Sequence, residues 1–273
     1  MRAITTPRTI ADAVATELYE VSVVRYGTRE TTASDVFLNY HVYREPDRPL
    51  RMDYFFWIIR GGQRVIVIDT GFSAAGGAAR GRTQLMSTTD AARAAGISPN
   101  EAEQVVVTHA HYDHIGGLPA FPDAEVIMTT AEYGFWTGPM AGRRQFAHAA
   151  EPGELDYLRK LRDAGRLTLT GERHTVAPGI EMIQIGGHTP GQAIVTVPTR
   201  SGRVVLASDA MHYYEELDRD WPFCTVADLA GMYAGFDYLR GLAAEPGTRV
   251  VAGHDPEVLT RFPAGDANVV VLS

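Results

Sequence analysis

Six consecutive residues concentrate side chains that bind metal ions: positions 109 to 114 read His-Ala-His-Tyr-Asp-His. Imidazole and carboxylate are ligands that zinc and other borderline divalent ions take in proteins. The apolar run before them, Val105–Val107, is typical of the end of a buried strand, and Gly116 and Gly117 beyond them are typical of a turn. The pattern therefore predicts a metal-binding loop at the end of a strand, in preference to a histidine-rich surface loop.

The spacing within this loop indicates how its ligands divide. Side chains two residues apart in an extended chain point to the same side, so His109 and His111 can face one ion together. Asp113 and His114 are neighbours and should point apart, which suits a second ion on the other side of the loop. A site for two ions needs more ligands than this one loop provides.

Further candidates come directly after other β-rich runs, where side chains gather along one rim of a sheet. They are His188 in Gly-Gly-His-Thr-Pro-Gly, Asp209 in Ser-Asp-Ala and His254 in Gly-His-Asp. Glycines beside the two histidines allow tight backbone turns. A single histidine or aspartate at a strand end is usually structural, and it is the shared placement of all three that indicates a site.

The elements that would position these residues begin with a predicted strand over Leu18–Tyr26. A long irregular connection, Thr28–Pro49, follows it. A hairpin is predicted from the strands Tyr54–Arg60 and Arg64–Asp69, which are joined through two glycines. Its second strand ends in an Asp-Thr-Gly sequence.

The rest of the chain shows strand clusters in both halves, each followed by helices. This order predicts two packed sheets with helices outside, an α/β sandwich, and the absence of a linker predicts a single domain over residues 1–273. The remaining predicted strands are Glu125–Thr129, Ile180–Ile185, Ala193–Val197, Val204–Ala207 and Arg249–Ala252, and the predicted helical segments are Thr89–Ala95, Ala131–Gly165, Val226–Ala244 and Pro256–Phe262.

Composition narrows the classes of partner. The 273 residues carry 25 Lys and Arg against 33 Asp and Glu, a formal net charge of −8, which argues against nucleic acid and against an anionic membrane. The single cysteine, Cys224, excludes an internal disulfide and a thiolate zinc finger. Residues 1–7 lack the apolar core of a signal peptide, and no apolar run approaches bilayer length. These features predict a cytoplasmic protein with no membrane and no nucleic-acid partner.

Taken in order, these motifs resemble the metallo-β-lactamase superfamily of αββα hydrolases. The family's pattern is His-x-His-x-Asp-His, a distant His in Gly-His-Thr-Pro-Gly, an Asp and a final Gly-His, and the resemblance spans roughly Asp53 to His254. It implies a four-layer αββα sandwich and two divalent metal ions, with Zn²⁺ expected, although such ligands also accept Fe, Mn or Co. It also implies one metal bound by His109, His111 and His188, a second bound by Asp113, His114 and His254, Asp209 bridging both, and Asp69 orienting ligands without binding metal.

Two ions bound in this way would catalyse the attack of hydroxide on a carbonyl group. Two divalent ions about 3.5–4 Å apart can share a hydroxide and lower the pKa of its parent water. That hydroxide would attack a carbonyl carbon while one metal polarises the carbonyl oxygen and the other receives the leaving oxygen. No side-chain nucleophile is then required, and the chain has no Gly-x-Ser-x-Gly motif to offer one.

Within the superfamily the chain is most similar to the N-acyl-homoserine lactonase group, by its length, by Asp209-Ala210 and by Gly253-His254-Asp255. The similarity implies opening of a lactone ring, that of an N-acyl-homoserine lactone or a related lactone. One departure concerns the proton donor, because that group's tyrosine three residues beyond the bridging aspartate is a histidine here, followed by two tyrosines. The candidate catalytic residues are Asp113, His212 and Tyr213.

Other activities of the fold stay open at this point. Another ester, a thioester or a β-lactam would need the same two ions, although thiolate-ligand β-lactamases carry a Cys where Asp209 stands. Glyoxalase II-like thioesterases carry an extra C-terminal helical domain, and an iron-dependent persulfide dioxygenase fits the ligand set alone. A protein that uses metals only for folding is disfavoured, because structural zinc sites are closed sets of Cys and His.

Three irregular segments rich in aromatic residues and methionine predict the walls of a pocket: Phe37–Tyr43, Phe135–Phe146 and Met211–Phe223. Loops around a strand-end site commonly form its walls, so a small-molecule substrate with an apolar part is expected. The alternative is that these side chains seal the sheet edges. Arg143 and Arg144 would either meet an anionic substrate or form a solvated face. A homodimer is the default expectation for the oligomeric state.

Overall fold

The computed structural model describes residues 17–262, 264–265 and 267–272. Residues 1–7, for which the sequence predicts no signal peptide, lie outside the described residues, as do the two ends of the predicted single domain. Within the described ranges, no helix is both long enough and apolar enough to cross a membrane.

The described strands form two sheets. They are β1 (Glu20–Thr32), β2 (Pro49–Gly61), β3 (Arg64–Ile68), β4 (Thr83–Gln84), β5 (Gln104–Val106), β6 (Glu125–Thr129), β7 (Leu167–Thr170), β8 (Arg173–Ala177), β9 (Ile180–Gln184), β10 (Ala193–Thr199), β11 (Gly202–Ser208), β12 (Thr248–Ala252), β13 (Ala264–Gly265) and β14 (Val269–Val271). The larger sheet has the order β13-β14-β1-β2-β3-β5-β6-β7, with β4 paired to β1, and the smaller sheet has the order β12-β11-β10-β9-β8.

Helices in the described part of the chain follow or connect these strands. They are α1 (Ala33–Val36), α2 (Ala74–Ala79), α3 (Thr88–Ala94), α4 (Tyr112–Ile115), α5 (Thr130–Thr137), α6 (Arg144–Ala147), α7 (Pro152–Asp163), α8 (Tyr214–Arg219), α9 (Leu229–Ala243) and α10 (Val258–Arg261). Short 3₁₀ helices lie at Tyr40–Tyr43, Pro99–Glu101 and Leu118–Ala120.

Strand β2 shows why four layers form. Every residue from 54 to 59 is buried, so both faces of this strand are covered, as in a sheet that lies inside a sandwich. Its odd-numbered side chains pack into a core shared with the smaller sheet and with Leu239 of α9. Its even-numbered side chains pack into a second core that includes Ala91 of α3 and Leu158 of α7. The order helix, sheet, sheet, helix confirms the predicted αββα sandwich.

Parallel pairing brings several strand ends to one edge of the sandwich. β3 pairs with β5, β5 with β6, and β11 with β12, all in parallel. The carboxyl ends of parallel strands meet at the same edge of a sheet. Asp69 follows β3, the loop from 109 to 114 follows β5, Asp209 follows β11, and His254 lies just beyond β12. The sheet order therefore gathers residues that are far apart in sequence.

The structure differs from the prediction at the start of the chain. β1 continues to Thr32 because it pairs with β2 along its length, with an irregularity between Arg25 and Gly27. The predicted irregular connection Thr28–Pro49 therefore begins as strand and continues through α1 and a 3₁₀ helix. An irregularity of this kind shifts the alternation of side chains, which explains why the alternating pattern ended too early.

The predicted helical segment Ala131–Gly165 is divided into three helices, α5, α6 and α7. Gly138, Pro139 and Gly142 interrupt it, and Pro152 occupies the first position of α7, where its missing N–H costs nothing. Strands β7 and β8 were not predicted. β7 extends the parallel part of the larger sheet, and β8 is the edge of the smaller one.

The contact between α2 and α7 makes stability depend on pH. Ser73 Oγ, which caps α2, donates a hydrogen bond of 2.9 Å to Glu154 Oε1, while Glu154 Oε2 is buried without a partner. Burial raises the pKa of Glu154 to about 7 from 4.5. A carboxyl group with a raised folded-state pKa contributes stability that is present below about pH 4.5 and is lost as the pH rises through 7.

We therefore expect Glu154→Gln, which stays uncharged, to gain stability over the native chain as the pH rises. Between pH 5 and pH 8, the free energy of unfolding of the variant relative to the native chain is expected to rise by about 1 kcal/mol. The rise is smaller than the full pKa shift would give, because solvent screens the partly exposed carboxyl group. Urea unfolding of chelator-treated protein at both pH values measures it, with the exposed Glu172→Gln as control. If the free energies of unfolding of the variant and the native chain differ by the same amount at pH 5 and at pH 8, this account is contradicted.

Candidate active site

The seven predicted metal ligands lie together, and all are buried, the most exposed being Asp113 at 7%. Each residue offers one nitrogen or oxygen atom, and within each of two groups these atoms lie within 4.8 Å of one another. The first group is His109, His111, His188 and Asp209, and the second is Asp113, His114 and His254. The structure therefore brings together every residue to which the sequence assigned a metal.

Asp209 lies between the two groups and contacts both. Its Oδ2 atom is 3.5 Å from His109 Nε2 and 3.3 Å from His188 Nε2. Its Oδ1 atom is 3.3 Å from His114 Nε2 and 3.1 Å from His254 Nε2. One carboxylate oxygen faces each group, which is the arrangement that a bridging ligand requires.

The donor atoms of this cluster fit a pair of divalent ions. His109 Nε2, His114 Nε2, His254 Nε2 and Asp209 Oδ1 are buried and have no hydrogen-bond partner among the described residues. Unpartnered buried polar atoms are rare because they lose their hydration without compensation. Neutral imidazole nitrogens and a carboxylate aimed at a common point are suited to metal coordination.

Burial keeps the histidines of the first group in the neutral form that binds metals. It lowers the pKa of His109 and of His111 well below 6.5, and it lowers the pKa of His188 to about 3. Neighbouring imidazoles act in the same direction. These three rings therefore present unprotonated nitrogens at neutral pH.

The histidines of the second group are oriented through their other ring nitrogen. His114 Nδ1 donates to Asp69 Oδ2 at 2.8 Å, and His254 Nδ1 donates to the backbone carbonyl of Asp53 at 2.8 Å. Both Nε2 atoms are thereby left to face Asp209. Asp69 has a left-handed backbone with φ of 60°, and it also accepts hydrogen bonds from the backbone N–H and hydroxyl of Thr108.

Glu132 is a buried carboxylate that no motif in the sequence indicated. Its Oε1 atom accepts hydrogen bonds from Ala110 N at 2.9 Å and Trp136 Nε1 at 2.6 Å. Its Oε2 atom accepts from Thr189 Oγ1 at 2.7 Å and Gly191 N at 3.0 Å. Ala110 lies between two ligands of the first group, and Thr189 follows the third. Glu132 therefore ties together the two loops that carry these ligands.

His212, a predicted catalytic residue, is fully buried beside Asp209. Its Nε2 atom is 3.0 Å from Asp209 Oδ2, its Nδ1 atom is 3.3 Å from Glu216 Oε1, and its ring stacks on Phe223. Burial opposes protonation, but the two carboxylates raise the pKa of His212 to about 9. The ring is placed to orient Asp209.

Tyr213, the other predicted proton donor, does not reach the ligand cluster. Its side chain is buried, and its hydroxyl donates to the backbone carbonyl of Arg51 at 3.2 Å. The tyrosines that line the cleft beside the cluster are Tyr54 and Tyr112. Burial raises the pKa of Tyr54 to about 12, so its hydroxyl is protonated at neutral pH. A catalytic role for Tyr213 stays a prediction that this geometry does not support.

The cleft above the cluster has two arms that meet at His111 and His188. One arm, which we call the apolar arm, has a volume of about 200 Å³. The other, which we call the basic arm, has a volume of about 280 Å³ and also reaches Asp113 and Asp209. The apolar arm is lined by Phe135, Trp136, Phe146 and Val226. The basic arm is lined by Arg29, Met52, Tyr54, Arg82 and Tyr112.

Of the three predicted pocket walls, Phe135–Phe146 contributes most to the cleft. Phe223, from the third segment, lines the basic arm. Phe37 and two tyrosines of its segment pack instead against Trp221, which seals the sheet edge. Arg143 and Arg144 are exposed and line neither arm, so they form a solvated face.

A family model described as the metallo-beta-lactamase superfamily matches residues 53–254, the part of the chain that carries all the ligand candidates. The chain belongs to the metallo-β-lactamase superfamily. It is 30% identical over 145 residues to an N-acyl homoserine lactonase of a Bacillus species, a match covering 52% of this chain and 48% of that relative. It is 28% identical over 186 residues to the lactonase AttM of Azorhizobium caulinodans, covering 62% and 64%. The chain thus spans about half the length of the Bacillus relative.

Solved structures show the same fold across most of the chain. A quorum-quenching N-acyl homoserine lactone lactonase superposes with a TM-score of 0.71 at 20% identity, covering 89% of this chain and 94% of that one. AidC, described as a dizinc quorum-quenching lactonase, gives a TM-score of 0.71 at 18% identity, covering 95% of both chains. At this level of identity the likeness establishes the fold.

Proposed function

We propose that the protein is a dinuclear metal-dependent hydrolase that opens a lactone ring, that of an N-acyl-homoserine lactone or a related lactone. The placement of Asp209 between two buried ligand groups carries this proposal, since one carboxylate oxygen faces each group. Relatives named N-acyl homoserine lactonase support a lactone as the substrate. The dizinc description of AidC supports Zn²⁺ as the metal.

The residues around the two metal ions have different roles, as ligands or as groups that orient the ligands. Bound divalent ions lower the pKa of water and polarise a carbonyl oxygen, which permits hydrolysis at neutral pH without a side-chain nucleophile. His109, His111 and His188 would hold one ion, Asp113, His114 and His254 the other, and Asp209 both. Asp69 and the Asp53 carbonyl hold the rings of the second group in the required tautomer.

The cleft accounts for the remaining requirements of the reaction. The apolar arm takes an acyl chain or a ring, in keeping with the predicted apolar part of the substrate. Tyr54 and Tyr112 line the same arm of the cleft as members of the ligand cluster, and Tyr54 is protonated at neutral pH, so it is a candidate donor to the leaving oxygen.

The test is proton release at weak buffering from zinc-loaded protein mixed with N-hexanoyl- and N-decanoyl-homoserine lactone and with γ-butyrolactone. Ring opening yields a carboxylic acid that ionises, so we expect one proton for each lactone consumed. Chelator-treated protein is the control, and its release should be absent. Light scattering on the same preparation tests the predicted homodimer.

If protein with two verified bound ions releases no protons from any of these lactones, the lactonase proposal is refuted. Acid from a thioester or β-lactam panel would then select another hydrolase of this fold. If the protein contains iron as isolated and consumes oxygen when a persulfide is added, the persulfide dioxygenase is supported instead.

A further inference from the structure

Of the three arginines that line the basic arm, Arg29 and Arg82 have no anionic partner among the described residues. Among the described residues no carboxylate lies within 4.0 Å of the guanidinium group of Arg29 or of Arg82. Arg29 Nε is buried without a hydrogen-bond partner. A guanidinium group has five N–H donors, and a buried donor without a partner loses its hydration without compensation. The partner of Arg29 is therefore expected to come from outside the described part of the chain.

Arg29 and Arg82 reach the same cleft from neighbouring segments. β4 pairs with β1 in antiparallel fashion, with Thr28 opposite Thr83. Arg29 directly follows Thr28, Arg82 directly precedes Thr83, and both residues line the basic arm. Two positive charges in one cleft repel each other, so an anion bound by both guanidinium groups would turn this repulsion into attraction.

The surroundings fix Arg82 in place without neutralising it. Arg82 Nε donates to Tyr112 Oη at 3.1 Å, and its Nη1 donates to the backbone carbonyl of Arg80 at 2.7 Å. Neighbouring arginines are paired: Arg80 with Glu151, and Arg25 with Asp53. Arg29 and Arg82 thus differ from Arg80, which lines the same arm but is paired with Glu151.

The acidic residues of the basic arm do not compete for these arginines. Asp113 and Asp209 belong to the candidate ligand groups. Asp35 lines the arm but is exposed and forms no ion pair with either arginine within 4.0 Å. The arm is thus lined both by two arginines without an ion pair and by members of the ligand cluster.

We propose that Arg29 and Arg82 bind a carboxylate of the substrate. A guanidinium group presents parallel N–H donors that match the two oxygens of a carboxylate. Arg29, Arg82, His111 and Asp113 line the same arm, so a carboxylate bound by the arginines belongs to a molecule in the same cleft as the ligand cluster. The inference rests on the proposed function and adds that, among the related lactones, those that bear a carboxylate are preferred, with any apolar part of the substrate in the other arm.

A matched pair of lactones tests this selectivity: 5-oxotetrahydrofuran-2-carboxylate and its primary amide, which has nearly the same shape without the charge. We expect kcat/KM of zinc-loaded protein to be about tenfold higher for the carboxylate, the scale of a charge-assisted hydrogen bond. Arg29→Met should bring the ratio of the two kcat/KM values close to one, chiefly through KM for the carboxylate. Arg144→Met, at an exposed position outside both arms, should leave the ratio unchanged.

A binding experiment separates this proposal from the lactonase proposal. Calorimetric titration of zinc-loaded protein with succinate and with succinamate offers the ligand cluster one carboxylate in both cases and the arginines a second one only in succinate. We expect succinate to bind about tenfold more tightly, and both Arg29→Met and Arg82→Met to remove the difference.

The outcomes distinguish the two proposals. A succinate preference that depends on Arg29, without lactone turnover, would support the carboxylate site and refute the lactonase. Equal turnover of both lactones together with equal binding of both acids would overturn the carboxylate site and leave the lactonase standing. If Arg29→Met does not fold, Arg82→Met and Arg29→Lys, which retains the charge but not the parallel donors, decide between these outcomes.

Discussion

Asp209→Ala is expected to lower lactone turnover by at least about 10⁴-fold, the scale of removing a member of a catalytic unit. It is also expected to lower the bound metal from two ions per chain to one or none. The reason is that each carboxylate oxygen of Asp209 faces one ligand group, at 3.3 Å from His188 Nε2 and 3.1 Å from His254 Nε2. Without this carboxylate, the charge of two dications would be balanced by Asp113 alone among the ligands.

The charge of Asp209 does not depend on the ions being present. Burial alone would raise the pKa of its carboxyl group, but His212, His254 and His114 together hold that pKa well below 3.8. The native chain therefore keeps a charged carboxylate between the two groups at neutral pH. The alanine variant loses this charge and cannot regain it from any other residue of the first group, which otherwise contains only histidines.

Elemental analysis of metal per chain and proton release from N-hexanoyl-homoserine lactone measure the two effects of Asp209→Ala. Asp237→Ala is the matched control, since the Asp237 side chain is 79% exposed and lies on α9. Two retained ions, or turnover within a few-fold of the native chain, would refute the bridging role of Asp209.

The metal ligands could be predicted from sequence because the segments that carry them each follow a strand, with Asp113 and His114 on the short helix α4 that comes after β5. His109 and His111 stand two apart after β5, and Asp209 follows β11 directly. Parallel pairing of β3 with β5 and of β11 with β12 brings the ends of these strands to one edge. The local pattern therefore carried both the ligand type and its position. The αββα layers could be predicted because strand clusters in both halves of the chain are each followed by helices, and the burial of β2 on both faces agrees with a sheet inside the sandwich.

The residues that shape the cleft could not be predicted in this way. Arg29 lies beyond the irregularity in β1, and its neighbour Arg82 is set by the short pairing of β4 with β1, which has no sequence signature. Tyr213 was predicted from its distance to Asp209 along the chain, but its side chain is directed to the Arg51 carbonyl. Long-range pairing, and not local spacing, decides which side chains reach the cleft.

Glu132→Ala is expected to destabilise the protein by about 3 kcal/mol, the scale of leaving several buried donors unsatisfied. This corresponds to a decrease of roughly 6–12 °C in the midpoint of thermal unfolding. Two backbone N–H groups, the Thr189 hydroxyl and the Trp136 indole would all lose their acceptor. Because the two N–H groups belong to the loops that carry His109, His111 and His188, zinc affinity is also expected to fall about 10–100-fold.

Glu132→Gln separates the hydrogen bonds of this carboxylate from its packing. The amide oxygen can replace Oε1 and keep the bonds from Ala110 and Trp136, while the Thr189 hydroxyl can rotate to accept from the amide N–H₂, so only the bond from Gly191 N must be lost. We therefore expect the glutamine variant to lose less than half of the stability and zinc affinity that the alanine variant loses, with Glu172→Ala, at an exposed position, as control. Thermal unfolding of chelator-treated protein and competition for zinc with a coloured chelator measure the two quantities separately. A loss of stability in Glu132→Ala without any loss of zinc affinity would show that Glu132 stabilises the fold without positioning the ligand loops, because a residue that positions these loops must change both.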